Sequence, residues 1–164
     1  MRLSDGVEWG VHCGVLLGFV APDGALPTAK LAEYHGVPAA YLAKHLQSLA
    51  RAGVLETVKG PRGGYRLARP ATEVTLLDVV EAIDGDEPAF RCSEIRRRGP
   101  SAVPAREYTS LCGINRAFLA ADEAWRGELA RTTIAQMVVS ALEDAPRVAV
   151  QKSARWLGAA LPAT

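Results

Sequence analysis

Val58-Lys59-Gly60-Pro61-Arg62-Gly63-Gly64-Tyr65-Arg66-Leu67-Ala68-Arg69-Pro70 is the stretch that decides the fold of this 164-residue chain. Gly60 to Gly64 form a tight glycine-rich reversal. Before it, Val54-Leu55-Glu56-Thr57-Val58 alternates with period two, as a strand does, and Tyr65-Arg66-Leu67 returns as a second strand. The reversal lacks the G-x-x-x-x-G-K-[ST] pattern and joins two strands, so it is no nucleotide loop. Upstream, Thr28 caps a short helix to His35 that turns Leu31 and Tyr34 inward, and Gly36 ends it. Pro38 fits the first turn of a further helix, which runs through Leu42, Leu46 and Leu49 to Ala52, with Gly53 as its C-cap. Helix, short turn, helix, strand, turn, strand is a helix-turn-helix followed by a β-hairpin wing.

The remainder is helical apart from one segment. Ser4 is a plausible N-cap, and Val7, Val11, Val15 and Phe19 recur every four residues, predicting an amphipathic helix over 4–20. Thr75 caps a short helix from Leu76 to Asp84. From Gly113 a long helix carries Ile114, Phe118, Ala121, Trp125 and Leu129 as a wide aromatic stripe, the kind of face that packs on a partner subunit. Thr132 or Thr133 caps a last helix, Ile134 to Leu142. Between them residues 85–112 hold Gly85, Pro88, Gly99, Pro100, Pro104 and the run Arg96-Arg97-Arg98, flanked by Cys92 and Cys112. A loop this long inside a small chain is usually functional or disordered. The expected class is mainly α with a small β-hairpin. Its units are a DNA-binding winged helix-turn-helix over 1–84, a loop over 85–112, dimerisation helices over 113–142, and a tail over 143–164 in which no order is readable.

Hydrophobic residues make up 49% and charged residues 23%, ordinary globular values. No apolar run approaches a membrane span. The N-terminal Met1-Arg2-Leu3-Ser4-Asp5 carries no signal-peptide pattern, so a cytoplasmic location is expected. The net charge of +1 hides a separation. Residues 30–69 hold seven basic residues against two acidic ones, a surplus of +5, which leaves −4 on the rest. Like charge gathered on one motif is the footprint of phosphate binding. Such a fold sets the second helix of the pair in the major groove, N-terminal residues against base edges. Ala39, Ala40, Tyr41 and Lys44 are the candidates there, with His45 on the same face. Tyr41 and Lys44 suit phosphates, Arg62 at the wing tip suits the minor groove, and Thr28, Lys30, Lys59 and Arg66 complete the DNA-binding candidates. Alanine methyls can read a thymine methyl.

The wing K-G-x-x-G-G-Y-x-L-A-R-P, with Met1-Arg2-Leu3-Ser4 and Gly36-Val37-Pro38 to Gly53, is similar to the Rrf-two family of winged-helix repressors over about residues 1–140. The resemblance implies a homodimer seamed by the long helix and a palindromic operator. In many members it also implies an iron–sulfur cluster held by cysteines in the loop before that helix. Cluster-binding members commonly carry three closely spaced cysteines there, whereas this chain has Cys92 and Cys112 alone. Each iron of a [2Fe–2S] centre takes two protein ligands, so two thiolates leave it incomplete. The family often draws a non-cysteine ligand from the first helix of the other subunit, and in that helix Glu8 and His12 are four apart on one face. The implied ligand set is Cys92 and Cys112 from one chain with Glu8 and His12 from its partner, most like the family's redox-sensing [2Fe–2S] repressors of the RsrR kind. Cys13 competes with His12, but lies about 140° round the helix from Glu8.

With a carboxylate and a neutral imidazole among its ligands, such a cluster is less negative than an all-cysteine one and should have a higher potential. Trp9, beside Glu8, is a possible redox relay or a core residue. The resemblance also implies that the oxidised holo-protein is the tight DNA-binding form. Two other uses of the same residues stay open: a thiol–disulfide switch at Cys92 and Cys112, and a structural zinc. No nucleophile–base pair, dinucleotide fingerprint or paired carboxylates speak for an enzyme or a small-molecule substrate.

Overall fold

The computed structural model describes residues 3–60 and 63–161, so Arg62 at the expected wing tip lies outside the described residues. The helices are α1 (Asp5–Gly18), α2 (Thr28–His35), α3 (Ala39–Arg51), α4 (Leu76–Asp84), α5 (Gly113–Arg131), α6 (Ile134–Asp144) and α7 (Arg147–Ala160). Strands β1 (Leu55–Val58) and β2 (Gly64–Leu67) form an antiparallel hairpin in the register Leu55 to Leu67 and Val58 to Gly64. Leu26 adds a bridge to its outer edge, exchanging both backbone hydrogen bonds with Tyr65 at 3.0 and 2.9 Å. The mainly α class with a wing is therefore observed.

The helix-turn-helix forms for the reasons its sequence suggests. Gly36 closes α2 in a left-handed conformation (φ 65°), which costs glycine nothing. Leu42, Leu46 and Leu49 of α3 are wholly or almost wholly buried, each stabilising the domain by about 1.5–3 kcal/mol. Thr75 and Asp78 make a reciprocal capping box on α4, and Thr133 and Gln136 make another on α6. Those two helix starts are stitched together where Leu76 N–H donates to Thr132 and Ile134 N–H donates to Val74.

Three local expectations are corrected. Pro27, not Thr28, occupies the N-cap position of α2, and Pro38 is the N-cap of α3 rather than a residue of its first turn. Ser4 does not cap α1 with its side chain: its N–H and hydroxyl both donate to Asp84, at 2.9 and 2.5 Å, fastening α1 to the end of α4. The valine row is not the principal inner face of α1 either. Val7 is buried, but Val11 and Val15 are half-buried and Phe19 is exposed, while Gly6, Gly10, Cys13, Gly14, Leu16 and Leu17 make up the rest of the core face. The glycines let neighbours approach the helix axis: a methyl on Gly6 would meet the His45 ring at 2.3 Å, one on Gly10 would meet Ile83 at 2.7 Å, and one on Gly18 would meet Val138 at 2.7 Å.

Most of the described part of the tail is a helix. α7 lies on α2, where Trp156 stacks at 4.8 Å on Tyr34 and donates to Glu33, and where Ser153 shares a 2.6 Å hydrogen bond with the Tyr34 hydroxyl. As in α7, no residue of α5 is buried. Ile114, Phe118 and Leu119 stand exposed along it, and it is tied to α4 by Arg126, which pairs with Glu81 and Asp122.

Candidate functional site

Two surfaces carry the candidate chemistry. On the reading head, Ala39, Ala40, Tyr41 and Lys44 are exposed on the first turns of α3, and Tyr41 is 62% exposed. The Lys44 ammonium lies 5.5 Å over the Tyr41 ring, so the two present one cationic edge. Gln47 and Arg51 continue this exposed face at helical spacing from Ala40 and Lys44. Gln47 carries amide donors suited to base edges and was not among the sequence candidates, although its spacing from Lys44 was the signal that would have found it.

The charge surplus is smaller in space than in sequence. Lys30 pairs with Glu33 at 2.8 Å and lies under Trp156. Arg66 pairs with Glu56 at 2.5 Å and also donates to the Pro22 carbonyl, which directs it beneath the wing. Arg69 pairs with Asp78 at 2.9 Å. Among the described residues, Lys44, Arg51 and Lys59 of this motif are left without an ion pair. Thr28 is half-buried. His45 is corrected: it does not share the exposed face, but tucks against Gly6 and meets Trp9 edge-on at 5.9 Å. Trp9, half-buried against the core, thus joins α1 to the reading helix.

The second surface is the loop over 85–112. Cys92 is half-buried, and its sulfur accepts the Glu94 N–H at 3.4 Å. Glu94 takes a left-handed backbone (φ 50°), a costly conformation for a side chain with a Cβ. Its carboxylate receives Arg96 at 2.7 Å, and Arg96 also donates to the Ser110 carbonyl at 2.7 Å. The guanidinium stacks 4.7 Å over Tyr108, whose hydroxyl donates back to the Arg96 carbonyl at 2.6 Å. Arg96 therefore latches both ends of the loop. Phe90 stacks on Phe118 at 4.3 Å and lays the loop along α5.

Cys112 occupies the N-cap position of α5. The nearby Asn115 and Ile114 N–H groups, with the Arg96 charge, hold its thiol below the ordinary value. Glu94 is held below the usual carboxylate range, first by Arg96 and also by the Cys112 backbone N–H. The two cysteines so flank one glutamate.

On α1, Glu8 and His12 are exposed and one turn apart. Cys13 is wholly buried, and burial pushes its thiol up to about 12, so it is a neutral core residue at physiological pH. His35 lies 5.7 Å from His12, ring to ring, and burial pushes it down to about 4, so it is neutral at physiological pH. Among the described residues of a single chain, no group of three His, Cys, Asp or Glu side chains is placed to hold a metal ion. No helix among them is long and apolar enough to cross a membrane.

Known proteins share this architecture. The B. subtilis global cysteine regulator CymR superposes with a TM-score of 0.68 at 16% identity, covering 85% of this chain and 98% of its own. The T. potens IscR does so with 0.66 at 19% identity, covering 90% and 93%. In sequence, protein aau3 of Rhizobium meliloti is 39% identical over 140 residues, 84% of this chain and 85% of its own. A putative HTH-type transcriptional regulator of Mycobacterium tuberculosis is 32% identical over 145 residues, 88% and 85%. Residues 3–140 match the family described as Rrf2, iron-dependent transcriptional regulator. The chain belongs to the Rrf2 (Rrf-two) family of DNA-binding transcriptional regulators.

Proposed function

We propose that this regulator is a redox-sensing repressor that acts in the cytoplasm as a homodimer on a palindromic operator. A [2Fe–2S] cluster would be held by Cys92 and Cys112 of one chain and by Glu8 and His12 of its partner. The observation that carries the reading is the placement of the two loop cysteines on either side of Glu94, with Cys112 at a helix start where its thiol is lowered. The donors fit the group: thiolates are the usual ligands of iron–sulfur clusters, and an exposed carboxylate and imidazole one turn apart can reach a common centre beyond the helix. When bound, the cluster supplies one-electron redox chemistry. The protein's own part is transmission, since α1 bears Glu8 and His12 and packs on the reading helix through Gly6, Trp9 and His45. On this reading residues 1–84 read DNA, 85–112 hold the cluster, 113–142 seam the dimer, and Trp9 relays the redox change. The resulting protein resembles the RsrR kind of repressor.

Anaerobic isolation tests it. The expected result is a coloured dimer containing iron and acid-labile sulfide, colour lost in Cys92→Ala, and operator affinity that differs among oxidised, reduced and cluster-free protein in gel shifts. Arg62→Ala should weaken DNA binding and leave the colour. Equal affinity in all three states would overturn the sensor while leaving the DNA-binding regulator intact. Colourless protein with a reversible Cys92–Cys112 disulfide, or with stoichiometric zinc, would transfer the site to the thiol switch or the structural metal.

A further inference from the structure

Away from both surfaces, a cavity of about 530 Å³ opens between α1, α2, α6 and α7. Its volume falls in the range of small-molecule sites, about 300–1,000 Å³. The last helix creates it. α7 is pinned to α2 at its far end, where Trp156 stacks on Tyr34 and donates to Glu33, and where Leu157 packs on the core. Nearer its start it offers Ala149 and Ser153, too small to fill the space facing Leu16 and Phe19 of α1. The hollow is open to solvent beside Phe19 and Leu142, both exposed, so a ligand can enter it.

The lining specifies what that occupant is. The walls are dominated by aliphatic side chains and Phe19, and no Asp, Glu, Lys or Arg contributes to them. A charged ligand would therefore give up hydration with no opposite charge in return. The polar groups are the Tyr34 hydroxyl and Ser153 hydroxyl, already 2.6 Å apart, and the His12 and His35 rings. A hydroxyl pair both donates and accepts, so it can take one more hydroxyl into its chain. The buried Nε2 of His35 has no hydrogen-bond partner within the protein.

We propose that this cavity is a binding site for a small neutral molecule with a hydrophobic body and one hydroxyl, which seats its hydroxyl on the Tyr34–Ser153 pair. Most of the cavity wall on the α7 side comes from residues beyond 140, outside the stretch that matches the family. The site is thus built largely by α7 and the end of α6, and it shares His12 with the proposed cluster ligands. Its floor is α2, the first helix of the reading head, so occupancy bears on that helix directly.

The test uses the full-length dimer and 4-phenylphenol as probe, with biphenyl-4-carboxylate as its charged counterpart. Calorimetry should show one saturable site per chain for 4-phenylphenol and at least tenfold weaker binding of the carboxylate. Ala149→Phe, which fills the cavity from α7, should weaken binding at least tenfold with helix content unchanged. Ala141→Phe fills it from α6 and serves should the first variant unfold. Ser153→Ala should weaken the phenol several-fold without affecting biphenyl, which lacks the hydroxyl. Non-saturable binding, equal binding of the carboxylate, or undiminished binding by a folded cavity-filled variant would overturn the site. So would a partner subunit's side chain occupying the cavity in a crystal structure of the dimer. Iron content measured on the same samples keeps this outcome separate from that of the proposed cluster.

Discussion

The wing and the cysteine loop are both rich in glycine, proline and arginine, yet the molecule holds them by different means. The wing is fixed by main chain: its strands pair in register, Leu26 bridges to Tyr65, and Val54 and Leu55 are buried at its root. The loop over 85–112 has no buried residue and is held by side chains, above all by Arg96 reaching Glu94 and Ser110 while Tyr108 grips its carbonyl. Main-chain pairing around buried apolar residues gives one geometry and tolerates little change. A solvent-facing latch opens at low cost, which would suit the cluster-binding role proposed for its cysteines.

The sharpest way to break this contrast is at Gly64. A methyl there would lie 2.3 Å from the Leu26 backbone, and backbone cannot swing aside as a side-chain end can. Gly64→Ala should cost about 3 kcal/mol and abolish operator binding, read from the denaturant midpoint and a gel shift. A neutral outcome would mean that the Leu26 bridge is not what holds the wing. The counterpart in the loop is Arg96→Ala. It should leave the unfolding transition where it is but expose residues 92–112 to rapid amide hydrogen exchange. If the whole domain lost stability with it, the loop would belong to the core and the comparison would fail.

The cysteines sharpen the same contrast chemically. In cluster-free, reduced protein at pH 7–8, iodoacetamide should modify Cys112 readily, whereas Cys13 should react only on unfolding, as peptide mapping by mass spectrometry would show. Because the Cys112 thiol is lowered, its rate should rise with pH through a midpoint below that of an ordinary thiol. Arg96→Ala should raise that midpoint part of the way only, since the Asn115 and Ile114 N–H groups are the larger cause and remain. Equal rates at Cys112 and Cys13 would remove the distinction between a presented thiol and a buried one.

What the sequence disclosed follows the same division. The wing and α2–α4 were legible because their signals are local: Gly36 as a left-handed cap, Thr75 as a capping residue, and the leucines of α3 at helical spacing. Residues whose surroundings come from distant elements were not. His45 reads as exposed on α3 alone, because the opening that receives it is made by Gly6, thirty-nine positions away. The core face of α1 was legible only at Val7, because glycine carries no hydropathy signal and the rest of the valine row is half-buried. α7 escaped because its support is Tyr34 and Glu33 of α2, invisible from the tail's own composition. The ligand candidates Glu8 and His12 were legible as a pair on one face, since their spacing is a local property of α1, whereas the Arg96 latch around Cys92 and Cys112 depends on contacts across the loop.

The smallest effects separate two kinds of basic residue within the wing itself. Counted along the chain, Lys59 and Arg66 contribute equally to the surplus of +5. In space Lys59 is exposed at the start of the reversal, whereas Arg66 is held by Glu56 and the Pro22 carbonyl. A cation that neutralises a phosphate releases a counterion, so removing it flattens the salt dependence of binding by about one unit of slope. Lys59→Ala should do this and leave stability alone. Arg66→Ala should leave the slope unchanged and cost about 0.5 kcal/mol, the ordinary value of a partly exposed ion pair. Operator titrations at several salt concentrations, beside denaturant unfolding, distinguish the two. If Arg66→Ala flattened the slope as much as Lys59→Ala, the Glu56 pair would have to open on DNA, and the wing would share some of the adjustability assigned here to the loop.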